Sequence, residues 1–402
     1  MSINGSLPNP ENAAKAGPGG QPGPAAYPRV SRRSLLSGGA AVIGATVGGI
    51  ATPAVAAAAE DRRQVPMPSG KQRLHLASRP ETIHRGYMDA ALPPVLRIRP
   101  GDVVTIDTLS HQGMINGTDP ATFFGSYGIP RSAVLQDAID VYAAKQPEPG
   151  YSVHVLTGPV YIEGAEPGDV LEVRILDSHA RVPYGVNTTG PGSGVLPDLL
   201  KEPSAKVINL DLDKMLAEVT KDVHVPIDAF QGIMCTAPAP GLGKVSSRPP
   251  GPFGGNMDLR DLTAGCTLYL PVFANGALFS AGDGHTAQGD GEVDGTAIET
   301  SPASTFQFLV RKAVHAPWPM AESRARYISM GIDVDLDTAL AISLQEAVNF
   351  LQANMGMSAA DAYTLCSVAV DFEIAEAVNY TKVVHGRIPK AVFKQVPRYW
   401  AG

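Results

Sequence analysis

Residues 266–285 read CTLYLPVFANGALFSAGDGH, and this stretch indicates the class of fold that the rest of the sequence supports. Two apolar runs, 266–273 and 277–281, are separated by a short segment that contains Asn275 and Gly276. An Asn-Gly pair between apolar runs is the strongest short-range signal for a β-hairpin. The stretch therefore predicts two neighbouring strands, with a polar, glycine-rich end to the second strand.

A recurring pattern upstream of this stretch extends the β prediction. An apolar run, a Pro-Gly-Asp turn and a second apolar run occur twice, with Asp102 and Asp169 closing the two turns. Asp after Gly is ordinary turn chemistry, so we interpret both aspartates as structural. The recurrence of this pattern suggests a duplicated structural element, although two copies do not prove a repeat. Alternation of apolar and polar residues predicts strands at 95–99, 103–109, 159–163, 170–176, 205–212 and 223–231.

Helical spacing replaces alternation in the C-terminal part, 318–402. Apolar residues recur at that spacing over 336–351, and Gly356 offers a stop. A capping box at 358–361 predicts the start of a second helix that runs to about residue 378. The residues therefore predict a mainly β fold that is closed by a C-terminal helical pair.

Composition limits the functions that are possible for a chain of 402 residues. With 44% hydrophobic and 18% charged residues, the chain can bury a large core, which excludes disorder along its whole length. The net charge of −7 excludes a global basic surface for nucleic acid. Its 42 glycines and 35 prolines favour many turns and short strands. The presence of only three cysteines argues against a disulfide framework.

The N-terminal region carries the features of an export signal. Arg32 and Arg33 precede an apolar run of small residues at 38–55, and 57–59 offers a small-residue cleavage site. This arrangement resembles a twin-arginine signal, which implies export of an already folded protein to the periplasm or the extracellular space. The alternative is a single transmembrane anchor, which the glycine content of the run disfavours.

The signal sets the predicted domain organisation. Residues 1–30 are polar and lack apolar periodicity, so we interpret 1–59 as a disordered region plus signal peptide. The mature domain is then 60–402, β-rich to about residue 317 and helical beyond it. No stable membrane anchor is expected after cleavage.

The segment 254–299 holds the residues with catalytic potential, around glycines that would suit a loop approaching a ligand. If the second strand stays extended, Asp283 and His285 point to one face, because side chains alternate with period two. A carboxylate beside an imidazole is a plausible pair of metal ligands. Glu292, just past the glycines, could act as a general base on water. A glycine-rich turn that only bonds its own backbone is the open alternative.

Other histidines could complete this site. His154 could supply a third ligand or orient a substrate, or it could be a hydrogen-bonded core residue. His84 and His111 lie at either end of the first strand pair and could join the same cluster. Asp258, in a glycine-rich turn, is more often a loop residue than a ligand. We predict His84 as a metal ligand and His154 as a catalytic residue.

The cysteines allow a different chemistry. Cys266 and Cys366 fall on apolar faces and are predicted to be buried. Cys235 lies in a loop-flanked motif and is the only one expected to be exposed. A thiol nucleophile there would need a lowered pKa, which a sequence does not show.

Several long motifs resemble the acetamidase/formamidase family, over a region from about residue 84 to residue 392. The resemblance implies hydrolysis of a short amide such as formamide or acetamide, a mainly β, jelly-roll-like core and a metal-assisted site. Asp283, His285 and Glu292 fall on motif positions of the family. Cys235 stands where the family commonly has Gly, which bears on the shape of the pocket. The motifs are at 157–169, 254–258, 268–272, 276–285 and 288–292.

Amide chemistry independently favours a metal. Resonance stabilises the carbonyl, so hydrolysis needs an electrophile at oxygen, an activated water and a proton donor for nitrogen. A divalent cation supplies the first two. We therefore predict a divalent metal ion, zinc being the first choice, held by Asp283 and His285, with Glu292 moving the proton. The expected partner is a small amide substrate, and the resemblance makes a homo-oligomer reasonable. The alternative function is a secreted β-sandwich that binds a small ligand without turnover.

Overall fold

The computed structural model describes residues 72–115, 117–312 and 316–396. The predicted export signal and the predicted domain boundary near residue 60 therefore lie outside the described residues. Within those residues, no helix has the length and apolar character needed to cross a membrane.

Twenty-two strands and four α-helices make up most of the described chain, which confirms the mainly β prediction. The helices are α1 (Pro120–Ser126), α2 (Gln136–Ala144), α3 (Leu336–Met355) and α4 (Ala359–Ala369). The strands up to the middle of the chain are β1 (Arg73–Leu76), β2 (Ile83–Arg85), β3 (Tyr87–Met88), β4 (Leu96–Ile98), β5 (Val103–Asp107), β6 (Val155–Ile162), β7 (Val170–Ala180), β8 (Tyr184–Thr189), β9 (Ser204–Asp211), β10 (Leu216–Thr220) and β11 (Val223–Pro226). The remaining strands are β12 (Phe230–Cys235), β13 (Val245–Ser246), β14 (Gly254–Asn256), β15 (Thr267–Pro271), β16 (Phe279–His285), β17 (Glu299–Thr300), β18 (Pro302–Arg311), β19 (Met320–Glu322), β20 (Arg326–Asp333), β21 (Asp371–Asn379) and β22 (Thr381–Pro389).

The strands form two large sheets that share one apolar core. Sheet 1 has nine strands in the order β1-β5-β18-β7-β15-β19-β20-β22-β21. Sheet 2 has eleven strands, with the path β11-β10-β9-β8-β17-β16-β12-β14, and β6 joins it by pairing with β16, β2 and β4. Side chains of both sheets meet in the largest cluster of buried residues, for example Val173 and Phe308 from sheet 1 with Val160 and Phe279 from sheet 2.

The predicted β-hairpin at Asn275-Gly276 is wrong. β15 pairs with β7 and β19 in sheet 1, whereas β16 pairs with β6, β12 and β17 in sheet 2. The turn therefore carries the chain from one sheet to the other. Gly276, Ala277 and Leu278 all have positive φ values (77°, 56° and 53°), a run that a two-residue hairpin does not contain. Asn-Gly fixed a turn, but contacts distant in sequence fixed the partners of each strand.

The two Pro-Gly-Asp turns have the structural role that the sequence predicts. Asp102 Oδ2 accepts a hydrogen bond from the Arg99 amide at 2.9 Å, and Asp169 Oδ2 accepts one from the Glu166 amide at 2.7 Å. Both turns lead from a strand of sheet 2 to a strand of sheet 1, β4 to β5 and β6 to β7. Each aspartate thus stabilises a crossover between the sheets.

The helical pair is confirmed, but the second helix is shorter than predicted. α3 ends at Gly356, which adopts the left-handed conformation, and Ser358 caps α4 by accepting a hydrogen bond from the Asp361 amide. α4 stops at Ala369, and 371–379 forms β21, which pairs with β22. Pairing with the next strand, β22, overrides the local helical spacing. The prediction of a helical part at 318–402 therefore holds for the helical pair only, since this part also contains β19 to β22.

Candidate active site

A cavity of about 320 Å³ opens beside the ends of β16 and β17 in sheet 2. A single buried water needs roughly 10–15 Å³ on the same measure, so the cavity is large enough for a small organic molecule. Six of its lining side chains are ionisable acids or histidines: His111, His154, Asp258, Asp283, Glu292 and Glu299. This concentration of acid–base groups makes it the candidate active site.

Asp283 and His285 lie together, as the strand alternation predicts. Asp283 Oδ2 is 3.5 Å from His285 Nε2, and both side chains are buried. The backbone is not regular between them, because Asp283 has a φ of 54°. The predicted pair is therefore present, with a local distortion that turns the carboxylate into the cavity wall.

Gly232, on β12, leaves the space that this pair needs. A Cβ atom at that position would lie 2.4 Å from Asp258 Oδ1 and 2.9 Å from His285 Cε1. Cβ atoms essentially never approach other heavy atoms within 3.0 Å. A larger residue at 232 would displace a carboxylate, an imidazole or both.

Three overlapping groups of side chains have the spacing of metal ligands. Within each group, one potential ligand atom from every residue lies within 4.8 Å of the others. The groups are His111, His154 and Asp283; Asp258, His285 and Glu292; and Asp283, His285 and Glu299. Because Asp283 and His285 are each shared by two groups, they form the centre of the cluster.

Distances across the cluster define its geometry. Asp283 Oδ1 is 3.5 Å from His111 Nδ1, and Asp283 Oδ2 is 3.9 Å from His154 Nε2. Glu299 Oε1 is 3.2 Å from His285 Nε2. His285 Nδ1 faces the other way, 2.9 Å from Gln288 Oε1. Asp283 is thus surrounded by three imidazoles, and His285 Nε2 faces two carboxylates.

Many buried polar atoms of this cluster lack a hydrogen-bond partner among the described residues. A buried polar atom without a partner costs about 1–3 kcal/mol, so a group that bound here and supplied partners to six such atoms would be stabilised. Carboxylate oxygens and imidazole nitrogens are the ligands that zinc and other divalent transition metals take. The residues present therefore fit a divalent cation. The atoms are His111 Nδ1, Asn256 Oδ1, Asp258 Oδ1, Asp283 Oδ1, His285 Nε2 and Glu299 Oε2.

The surroundings of Asp283 and His285 shift the pKa of both side chains strongly. Burial would raise the pKa of Asp283, but the imidazoles that surround this carboxylate, His154 and His285 foremost, outweigh the effect of burial and hold that pKa well below its usual value. Burial would lower the pKa of His285, but the Glu299 and Asp283 carboxylates raise it well above its usual value. The site therefore stabilises a negative charge on Asp283 and a positive charge in front of it.

His154 stays neutral next to this pair. Burial lowers its pKa to about 4, despite the nearby Asp283 charge. Its Nδ1 lies 2.9 Å from Ser247 Oγ and 3.2 Å from Ser152 Oγ, which leaves Nε2 directed at Asp283. A neutral imidazole of this kind can hold a cation or accept a proton.

Glu292 has the environment of a proton-transfer group. Burial, reinforced by the Asp258 charge, raises the pKa of its carboxyl well above the usual value. Burial likewise raises the pKa of Asp258 to about 7. A carboxyl with a raised pKa can hold a proton near neutral pH and release it in a reaction, which is what general acid–base catalysis requires.

Backbone strain is concentrated at the same place. Seven described residues other than glycine have a positive φ, and Asp258 (44°), Asp283 (54°) and Glu292 (44°) are three of them. Such conformations cost of order 1–3 kcal/mol and persist where the surroundings enforce them, often at functional sites. Three strained carboxylate residues around one cavity support a functional role.

The structure does not bring His84 into the cluster. Its Nδ1 lies 2.7 Å from the Tyr87 carbonyl oxygen and its Nε2 lies 3.1 Å from Ser280 Oγ. Both ring nitrogens thus have partners, and burial lowers the pKa of His84 to about 4. We leave His84 out of the proposed ligand set for this reason.

Sequence reasoning missed Glu299 and gave little weight to Asp258. Glu299 begins β17 and lies opposite His285 in the register of the sheet. Its only sequence signal is that it ends the glycine-rich segment. Asp258 looked like an ordinary turn residue, and only the fold places it beside Glu292. His111 joins the cluster as one of the open possibilities, from the turn that follows β5.

Cys235 is buried, so the expectation that it is exposed is wrong. It is only 1% exposed, and burial raises the pKa of its thiol to about 12. A thiol with that pKa is a poor nucleophile at neutral pH. These observations argue against a cysteine amidase built on Cys235.

Comparisons with known proteins agree with this geometry. A sequence profile described as the Acetamidase/Formamidase family matches residues 74–248 and 243–395. A formamidase from Methylophilus methylotrophus is 27% identical over 258 residues, covering 50% of this chain and 57% of that protein. An acetamidase from Mycolicibacterium smegmatis is 28% identical over 203 residues, covering 35% of this chain and 49% of that protein. The chain thus spans about half the length of the curated relatives that it matches.

A solved structure shows the same likeness over a larger share of both chains. The crystal structure of an acetamidase from Yersinia enterocolitica superposes with a TM-score of 0.68 at 27% sequence identity. The match covers 84% of this chain and 97% of that one. The two-sheet architecture is therefore shared with a solved acetamidase.

Proposed function

This chain belongs to the acetamidase/formamidase family, and from that premise we propose that it hydrolyses a short linear amide to a carboxylic acid and ammonia. The names of the formamidase and acetamidase relatives support this reaction class. One observation carries the proposal: a cluster of buried carboxylates and imidazoles with unpartnered atoms lies beside Glu292 in a cavity.

The cation is the second part of the proposal. Asp283, His285 and Glu299 would hold a divalent metal ion, zinc being the first choice, with His154 near Asp283 Oδ2 and His111 near Asp283 Oδ1. When bound, such an ion polarises an amide carbonyl and lowers the pKa of a water. The negative charge that the site stabilises on Asp283 favours a cation there.

Glu292 performs the proton transfers in this mechanism. A carboxylate oxygen of Glu292 takes a proton from the attacking water as the water oxygen bonds to the carbonyl carbon. The same oxygen gives the proton to the amide nitrogen as the carbon–nitrogen bond breaks, so that ammonia leaves. The raised pKa of Glu292 allows it to keep the proton between the two events. The negative charge of Asp258 beside Glu292 makes this carboxylate a stronger proton acceptor.

Ammonia release by the purified full-length chain tests the reaction. We expect ammonia from formamide, acetamide or a longer amide in a panel, and loss of that activity when a chelator removes the metal. Ligand binding without any ammonia across the panel would instead support the alternative, a small-ligand-binding protein.

His285 provides the sharpest single test of the cation. Replacing His285→Ala removes the imidazole shared by two ligand groups, so we expect zinc affinity to fall by more than about 100-fold and activity to fall with it. His84→Ala is the matched control, because the His84 nitrogens bond to Tyr87 and Ser280. Retained zinc and full turnover in folded His285→Ala protein would reject the proposed site. Loss of zinc in His84→Ala would return His84 to the ligand set.

We also propose that the chain is exported through the twin-arginine signal, after which 60–402 remains as a mature domain without a membrane anchor. The double substitution Arg32→Lys and Arg33→Lys should leave the protein in the cytoplasm of a host that has the twin-arginine export pathway. Arg62→Lys with Arg63→Lys is the matched control, since this second arginine pair follows the apolar run. Equal export of both double variants would contradict the assignment.

We propose a homo-oligomer as the assembled form, which light scattering of the purified protein tests.

A further inference from the structure

Gln288 holds the far side of the imidazole at the centre of the cluster. It follows β16 in the loop towards β17, and its side chain is partly buried. Its Oε1 atom is 2.9 Å from His285 Nδ1. Its Nε2 atom donates to the backbone oxygens of Asp258 at 2.6 Å and Ala375 at 3.1 Å. One amide side chain thus connects three separate parts of the chain.

These contacts leave the Gln288 amide only one orientation. Both hydrogens of its Nε2 atom are used by carbonyl oxygens, which accept but cannot donate. In the flipped orientation, Oε1 would face two carbonyl oxygens at those short distances. The observed orientation is therefore fixed by the backbone of Asp258 and Ala375.

The fixed amide determines where His285 carries its proton. Because Gln288 Oε1 can only accept, His285 Nδ1 has to donate a hydrogen to it. The other ring nitrogen, Nε2, then presents its lone pair to Asp283 Oδ2 at 3.5 Å and Glu299 Oε1 at 3.2 Å. A lone pair that faces two carboxylates is stable only with a positive charge between them, which is either a proton on Nε2 or a bound cation.

We propose that Gln288 is a positioning residue that keeps the hydrogen of His285 on Nδ1 and so reserves Nε2 for the cation shared with Asp283 and Glu299. Histidines that bind metals generally donate their second ring N–H to a neighbouring acceptor, and removal of that acceptor weakens metal binding about 10–100-fold. The inference rests on the proposed cation site, not on the amide substrate.

Zinc titration of purified variants tests this role without any substrate. Gln288→Met keeps the side-chain length but neither donates nor accepts these bonds, so we expect zinc affinity about 10–100-fold weaker than wild type.

Gln307→Met is the matched control. Gln307 is also buried, donates Nε2 to a backbone oxygen, that of Gly101 at 3.0 Å, and accepts from Arg174, but it lies on β18 of sheet 1. Its zinc affinity should stay within about threefold of wild type, as expected for a site that it does not contact. Wild-type zinc affinity in folded Gln288→Met protein, or an equal loss in Gln307→Met, would overturn the assignment.

A second measurement does not depend on whether any Gln288 variant folds. In zinc-loaded wild-type protein with nitrogen-15 histidine, long-range proton–nitrogen NMR spectra should place the hydrogen of His285 on Nδ1 and the zinc on Nε2. The reverse placement would overturn the inference even if the protein is an active amidase. A protein that binds zinc in this way but releases no ammonia would fail the proposed function and leave the role of Gln288 intact.

Discussion

Two clusters of charged side chains lie close together along the chain, and their difference separates the proposed cation site from a salt-bridge network. The candidate site contains Asp258, Asp283, Glu292 and Glu299, and no described lysine or arginine forms an ion pair with them. The second cluster, which we name the arginine network, contains Asp261, Asp290, Glu373 and His385 around Arg387 and Arg260. Asp290 and Glu292 are only two positions apart in the sequence.

Spacing alone does not distinguish the two clusters. Asp290, Glu373 and His385 also have atoms within 4.8 Å of one another, as metal ligands would. There, however, Arg387 contacts both carboxylates and Arg260 contacts Asp290, so a divalent cation would meet positive charge. In the candidate site the ligand spacing is the same, but no described arginine or lysine forms an ion pair with the carboxylates. Charge balance, rather than the number of potential ligands, distinguishes the proposed cation site from the arginine network.

The largest expected effect is on catalysis. Glu292→Gln keeps the shape of the side chain but removes its ability to take a proton, so turnover should fall about 10²–10⁴-fold, the usual contribution of a general acid–base group. Zinc content should not change by more than a small factor. Steady-state ammonia assays and metal analysis measure both.

Glu373→Gln, in the arginine network, is its control and should keep turnover near wild type. Equal activity in Glu292→Gln and wild-type protein would remove Glu292 from the mechanism and blur the distinction between the clusters.

The next effect concerns the stability of the arginine network. Arg387 is 8% exposed and contacts Asp261, Asp290 and Glu373. Arg387→Gln leaves these carboxylates without their shared partner, so the free energy of unfolding should fall by about 3–5 kcal/mol, as for other broken buried ion pairs. Urea denaturation measures this change. A loss below about 1 kcal/mol would mean that the network behaves as an exposed one.

An acid-dependent effect of intermediate size is expected at His385. Burial lowers its pKa from 6.5 to about 4 in the folded protein, while the Asp261 charge partly opposes this. Between these pH values the unfolded chain binds a proton that the folded protein does not, so stability falls as pH is lowered through that window. The shift corresponds to about 3 kcal/mol in all.

His385→Asn should therefore flatten the dependence of unfolding free energy on pH between about 6.5 and 4, as urea titrations at several pH values would show. His179→Asn is the control: its hydrogen bond to Asp177 raises the pKa of His179, so that imidazole is charged in both states in most of this window. An unchanged slope in His385→Asn would mean that His385 is protonated in the folded protein.

The smallest expected effect belongs to Arg260. Its side chain is 44% exposed and pairs with Asp290 at 2.8 Å, which is the situation of a surface ion pair. Arg260→Gln should cost at most about 1 kcal/mol of stability and leave zinc affinity unchanged. Thermal denaturation and zinc titration check both. Tighter zinc binding in this variant would show that the two clusters are electrostatically coupled.

Local patterns in the sequence were sufficient for part of the site. Asp283 and His285 are two positions apart on one strand, so alternation alone predicts that they converge. Glu292 lies in the loop that follows this strand. The helical pair and the Pro-Gly-Asp turns are equally local, because caps and turns depend on neighbouring residues.

The rest of the site depends on contacts that no local pattern encodes. Glu299 meets His285 through the register of β16 and β17, and His111 reaches Asp283 across 172 positions of sequence, from 111 to 283. His84 and His111 look alike in the sequence, yet only the fold directs one to Ser280 and the other to Asp283. The same reason explains the wrong hairpin, since Asn-Gly sets a turn and not a strand partner.

The attachment of the Glu292 loop to β21 has a consequence for biosynthesis. Gly291 donates to the Ala375 carbonyl and accepts from the Ala377 amide, and Gln288 donates to the same Ala375 oxygen. The loop is therefore completed by a strand that the ribosome synthesises more than 80 positions later. A nascent chain that has not yet released residues 371–379 lacks the support for the Glu292 loop, so the candidate site is completed only after β21 has been translated.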